Sequence, residues 1–125
     1  MLIRQSKNTF VRFYEDSVHI VNQLSFQDRV YDETGADFLK EINRTPQEVD
    51  DIVDRLKTLY GDSVSRQELY DDFMEFVSDL VEHKYLVMGK TTEELDANDI
   101  EFSYSMQNLK TQTDDFTQST IQQVE

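Results

Sequence analysis

In the first third of the chain, apolar and polar residues alternate over short runs. In FVRFY, Phe10, Arg12 and Tyr14 share one parity and Val11 and Phe13 the other, the period of an extended strand. Glu15-Asp16 interrupts that run, and SVHIVNQL then supplies a β-branched segment at Val18, Ile20 and Val21. After Leu24-Ser25, FQDRVY places Phe26 and Val30 at one parity with Tyr31 beside them. Short segments of this kind, separated by short polar gaps, predict a three-stranded antiparallel meander.

From Tyr31 onward the spacing becomes helical. Asp32 stands where it can cap a first helix whose inward positions are Phe38, Leu39 and Ile42, and Gly35-Ala36 offers a small-residue surface for close packing. TPQE reads as a capping box, with Thr45 as N-cap, Pro46 at the first helical position and Glu48 at the third. Val49, Ile52, Val53, Leu56 and Leu59 then recur at helical spacing, and Gly61 stands where a left-handed residue closes a helix. SRQE, Ser65 to Glu68, is a second capping box and opens a third helix.

At about 100° per residue, the apolar arc of that third helix covers roughly half its circumference. A helix docked on one core needs a stripe of only about 100°. The arc therefore divides into Leu69, Phe73, Phe76 and Leu80, expected to face the core, and a flanking stripe of Tyr70, Met74, Val77 and Val81. That stripe either packs on the meander or forms an exposed wall for a ligand, a use suited to apolar patches on soluble proteins.

Beyond YLVMG the composition shifts. Residues 90–125 hold 2 basic and 8 acidic side chains of the chain's 12 and 26, so they carry −6 of the formal −14 and residues 1–89 carry −8. The expected organisation is a domain over residues 1–89 and an acidic polar tail over 90–125. The end of the tail, KTQTDDFTQSTIQQVE, has the composition of disordered segments. Earlier in it, Ile100, Phe102, Tyr104 and Met106 alternate with polar residues, which predicts a strand over 100–106.

The charge balance restricts the partners. The Lys and Arg residues are scattered, with no two adjacent, whereas phosphate neutralisation needs them clustered. Nucleic acid and an anionic membrane surface are both disfavoured, and a protein or peptide partner is expected. No apolar run reaches the roughly 18 residues that suggest a span, and MLIRQSKNTF lacks the apolar stretch of a secretory signal, so a cytoplasmic location is expected. With no cysteine, disulfides and thiolate metal sites are excluded.

Catalytic chemistry finds no foothold in the sequence. Gly35, Gly61 and Gly89 are isolated, so no phosphate-cradling loop exists, and His19 and His83 are far apart. The neighbours in Asp50-Asp51 and Asp71-Asp72 diverge by about 100° on a helix and read as solvated faces. No nucleophile, base and oxyanion donor assemble. A non-enzyme without metal or cofactor is expected.

Three short strands, a helix begun by a small-residue turn, a capped second helix and a longer third helix ending in HKYLV resemble, in that order, the PqqD-like family. These are peptide chaperones of pyrroloquinoline quinone biosynthesis, and the same fold recurs as the recognition element in pathways of ribosomally made peptides. The resemblance runs from Asn8 to Gly89 and includes VYDETGADFLKEI and RTPQEVDDIVDRL. Lys84-Tyr85 departs from it where family members often carry Gly before the final hydrophobic pair, and the 36-residue tail is an addition.

The resemblance implies an α+β, winged helix-turn-helix-like fold: a three-stranded antiparallel β-meander followed by three helices, with a C-terminal extension. It implies binding of the leader region of a ribosomally synthesised precursor peptide, which adds as a strand at the third strand and lies against the third helix. The leader would be presented to a modifying enzyme, expected to be a radical S-adenosylmethionine enzyme. In such strand addition, edge groups provide affinity and side-chain pockets specificity. Carried onto this chain, the edge is Phe26, Asp28, Arg29, Val30 and Tyr31, and the wall is Tyr70, Met74, Val77, Val81 and Lys84. Arg29 and Lys84 are expected to pair with acidic leader residues. Residues 100–106 are expected either to occupy the groove, in cis or from a neighbouring copy, or to hang free. The alternatives are a winged-helix adaptor for a protein partner and, less favoured, a DNA-binding regulator. The polar face of the third helix, with Asp71, Asp72, Glu75, Asp79 and Glu82 and no Arg, speaks against the regulator.

Overall fold

The computed structural model describes residues 1–102 of the 125. In chain order they form β1 (Leu2–Gln5), β2 (Thr9–Phe13), β3 (Val18–Asn22), β4 (Gln27–Tyr31), α1 (Glu33–Lys40), β5 (Gln47–Glu48), α2 (Val49–Tyr60), a 3-10 turn (Gly61–Ser63), α3 (Arg66–Glu82) and β6 (Leu86–Gly89). A further helix, α4, occupies residues 92–102. None of the helices among the described residues is long and apolar enough to cross a membrane.

The fold is α+β, and the meander lies where the alternation placed it. β2, β3 and β4 pair antiparallel in that order. Val18, Ile20 and Asn22 of β3 are buried at alternate positions, the period-2 signature of a half-covered sheet. Val18 and Ile20 join the core with Leu39 of α1, Ile52 and Leu56 of α2, and Phe73 and Leu80 of α3.

Local chemistry sets several element ends. The Asp32 carboxylate accepts from the Gly35 N–H at 3.2 Å and caps α1, and Ser65 Oγ accepts from the Glu68 N–H at 3.2 Å and caps α3. Gly61 follows α2 at a φ of 63°, which glycine adopts without strain.

The expected capping box at Thr45 is not formed. α2 begins at Val49, after an extended Glu48 that makes no side-chain cap. Gln47 and Glu48 instead form β5, paired with Ile3 and Leu2 of β1. The Val49 N–H donates to the Met1 carbonyl at 3.0 Å, and the amino terminus lies 3.0 Å from the Glu48 carboxylate. Strand pairing thus takes the backbone that the first turn of a helix would have used. β1 also pairs with β6, completing a second three-stranded sheet in the order β5-β1-β6.

The tail expectation is also corrected. Residues 100–102 belong to α4 and are not strand, and residues 103–106 lie outside the described residues. Thr91 Oγ1 accepts from the Glu94 N–H at 3.1 Å, so TTEEL carries a helix start that the later alternation masked. α4 packs on the second sheet. Leu95 is fully buried, Asn98 donates to the Met88 carbonyl at 3.0 Å, and Asp99 meets the Arg4 guanidinium at 2.7 Å. Among the described residues, packed structure therefore continues past residue 89 through α4.

Candidate functional site

β4 pairs with β3 alone among the described residues, so its other edge carries no strand partner. An unpaired strand edge offers a row of N–H and C=O groups to an incoming chain. The pleat of β4 turns Arg29 and Tyr31 to the same face, and both reach α3. The Tyr31 and Phe76 rings meet edge to face at 4.9 Å, and Phe76 continues to Phe38 at 5.4 Å. Next to them the Arg29 guanidinium pairs with the Asp79 carboxylate and donates to the Tyr31 hydroxyl at 3.2 Å. It also lies 5.7 Å from the centre of the Tyr85 ring.

These contacts build one floor between strand and helix, aromatic at the Tyr31 end and ionic at Arg29. The hydrogen bond Arg29 donates to Tyr31, followed by the one it donates to Asp79, pushes the Arg29 pKa up against the opposing effect of burial. Burial pushes the Tyr85 phenol up, with the nearby Arg29 acting in the other direction.

The residues expected at the site are distributed unevenly over this geometry. Arg29 and Tyr31 face α3. Asp28 and Val30 fall on the other face of the sheet, where Asp28 lies 2.7 Å from His19 and Val30 is 66% exposed. Phe26, 70% exposed, sits in the β3–β4 turn at a φ of 58°. That turn is held to the end of α3 through Asn22, which accepts from the Leu24 N–H at 2.9 Å and donates to the Lys84 carbonyl at 3.1 Å.

On α3 the expected wall needs correction. Val77 is fully buried in the core and presents nothing to a groove. Tyr70, Met74 and Val81 are half-buried and packed against the core. At about 100° per residue, these three lie on one side of the core position Phe73, while Phe76 lies about 60° to the other side. The shoulder that meets β4 is therefore the one carrying Phe76 and Asp79. Lys84 adopts a φ of 68°, the left-handed region that glycine favours, at the point where the PqqD-like pattern often has Gly. Its ammonium lies 4.6 Å from the Phe102 ring of α4.

Phe76, Asp79 and Tyr85 were not read as site residues from sequence. Phe76 stands at the border of the apolar arc, with Asp72 and Asp79 one turn away on either side, so its partner was ambiguous. Asp79, Glu82 and His83 bring donor atoms within 4.8 Å of one another. They are near neighbours on the last turn of α3, and Asp79 is already paired with Arg29.

Residues 28–86 match the family model described as Coenzyme PQQ synthesis protein D (PqqD), a similarity that runs from β4 through α3 to the start of β6. The chain is also similar to a solved structure described as "TbiB1 in Complex with the TbiA(beta) Leader Peptide", with a TM-score of 0.60 at 18% identity over 70% of this chain and 99% of that one. The two share a fold. A comparison with curated proteins found no match.

Proposed function

We propose that this protein binds the leader region of a ribosomally made precursor peptide and presents it to a modifying enzyme. The leader adds as a strand to the free edge of β4 and lies along α3. The observation that carries this reading is that edge, flanked by α3 and built in the fold of a chain solved with a leader peptide. In this reading the protein is a peptide chaperone on a winged helix-turn-helix scaffold that performs no chemistry and holds no cofactor. It works in the cytoplasm, and its PqqD-like stretch favours a radical S-adenosylmethionine enzyme as the partner. DNA is a poor alternative ligand, because Asp71, Asp72, Glu75, Asp79 and Glu82 of α3 are all exposed and would repel phosphates.

Calorimetric titration of the full chain with synthetic leaders of precursors encoded beside its gene tests the reading. Saturable binding in the micromolar range or tighter is expected, with slowed amide exchange along β4. Absence of binding at roughly tens of micromolar would overturn it.

A further inference from the structure

We infer that the segment taken by this groove is cationic, with an aromatic or large aliphatic side chain followed two residues later by Lys or Arg. The inference rests on the peptide-binding reading and specifies the chemistry of the ligand.

The order of the two side chains comes from the floor of the groove. Tyr31 and Arg29 are two residues apart on one face of β4, about 7 Å along the strand. Their partners Phe76 and Asp79 are three apart on α3, a rise of about 4.5 Å. A strand added antiparallel to β4 passes Tyr31 first and Arg29 second. Of its same-face side chains, one meets the Tyr31–Phe76 rings and the next meets the Arg29–Asp79 pair.

The sign of the charge follows from what surrounds that pair. Arg29 is already committed to Asp79 and the Tyr31 hydroxyl, and Lys84 is turned onto Phe102. Asp72, Glu75, Asp79 and Glu82 on α3, and Asp32 and Glu33 beyond Tyr31, are exposed. Arg29 spends Nη1 on both Asp79 and the Tyr31 hydroxyl, and a ligand carboxylate reaching its other N–H groups would stand beside the Asp79 carboxylate and the other acids of α3. A ligand Lys or Arg instead meets an Asp79 carboxylate that is 48% exposed. Its Oδ2 takes Arg29 and its Oδ1 lies 3.3 Å from the His83 ring, and of about four lone-pair positions on the carboxylate the remainder can serve the newcomer. The formal charge of −14 adds a long-range attraction for cations that salt screens. A cationic segment runs opposite to the expectation that Arg29 and Lys84 pair with acidic leader residues.

Selection of a random short-peptide display library on the immobilised full-length protein tests this, followed by titration of a selected peptide. The expected winners carry the aromatic-or-aliphatic, any, Lys-or-Arg order. Replacing the basic residue by Glu should weaken binding to the native protein about tenfold, and an Asp79→Lys variant should recover that loss. Asp79→Asn, close in shape, should reduce the preference for the basic residue even if the reversed variant fails to fold. Winners without a basic residue at that spacing, or a preference unmoved by Asp79→Asn, would overturn the inference and leave peptide binding standing. A library yielding no binders at all would instead sink the peptide-binding reading.

Discussion

Gly35 sets how closely α1 approaches the groove. A Cβ at this position would lie 2.4 Å from Tyr31 Cβ and 3.5 Å from the Phe76 ring, so the small pair Gly35-Ala36 serves the close packing that the sequence indicates. Gly35→Ala is expected to push Tyr31 off Phe76, costing about 1–3 kcal/mol in denaturant unfolding and weakening peptide binding. An unchanged midpoint with unchanged affinity would refute the account. The same scale shows where a residue-level reading slips. Phe76 and Val77 exchange roles relative to expectation, Val77 entering the core and Phe76 meeting Tyr31. They are neighbours in sequence, and one step rotates a side chain by about 100°. A broad apolar arc does not itself say where the core is centred.

At the scale of elements, two similar motifs have different fates. Ser65 caps α3 through the Glu68 N–H, whereas Thr45 precedes a segment taken by β5. Ser65→Ala should therefore lower unfolding stability by about 1 kcal/mol. Thr45→Ala should stay within about 0.5 kcal/mol of the parent. Equal losses in thermal unfolding would contradict the assignment of β5. The motif specifies only what its own residues are able to do. β1 reaches Gln47 and Glu48 from the start of the chain, and nothing within TPQE announces such a partner.

At the scale of the molecule, the boundary of the compact unit matters most. Arg4 and Asp99 form a pair whose side chains are only 11% and 4% exposed, and Asp99 also accepts from the Lys7 N–H at 3.0 Å. Removing residues 90–125 takes away Asp99 and the fully buried Leu95. The lost apolar burial is worth about 2 kcal/mol, and loss of the Arg4–Asp99 pair and of the Lys7 N–H bond to Asp99 adds to the cost. That truncation should be at least about 3 kcal/mol less stable than one removing only residues 103–125, read from denaturant midpoints. Equal midpoints would mean that α4 contributes nothing to the fold. Truncation at residue 89 is accordingly a poor way to ask how the tail affects binding, because it also strips α4 from the β1–β6 sheet.

By itself the sequence determined the meander, the existence of α1 to α3, the caps at Asp32 and Ser65 and the stop at Gly61. These depend on periodicity and on hydrogen bonds between residues a few positions apart, which a linear reading contains. The tertiary structure decided the second sheet, the docking of α4 and the shoulder of α3 that meets β4. β1, β5 and β6 have 4, 2 and 4 residues, too few for a period to register. Their pairing depends on chain segments that only folding brings together. The rotation of α3 about its axis is likewise set by where its neighbours pack.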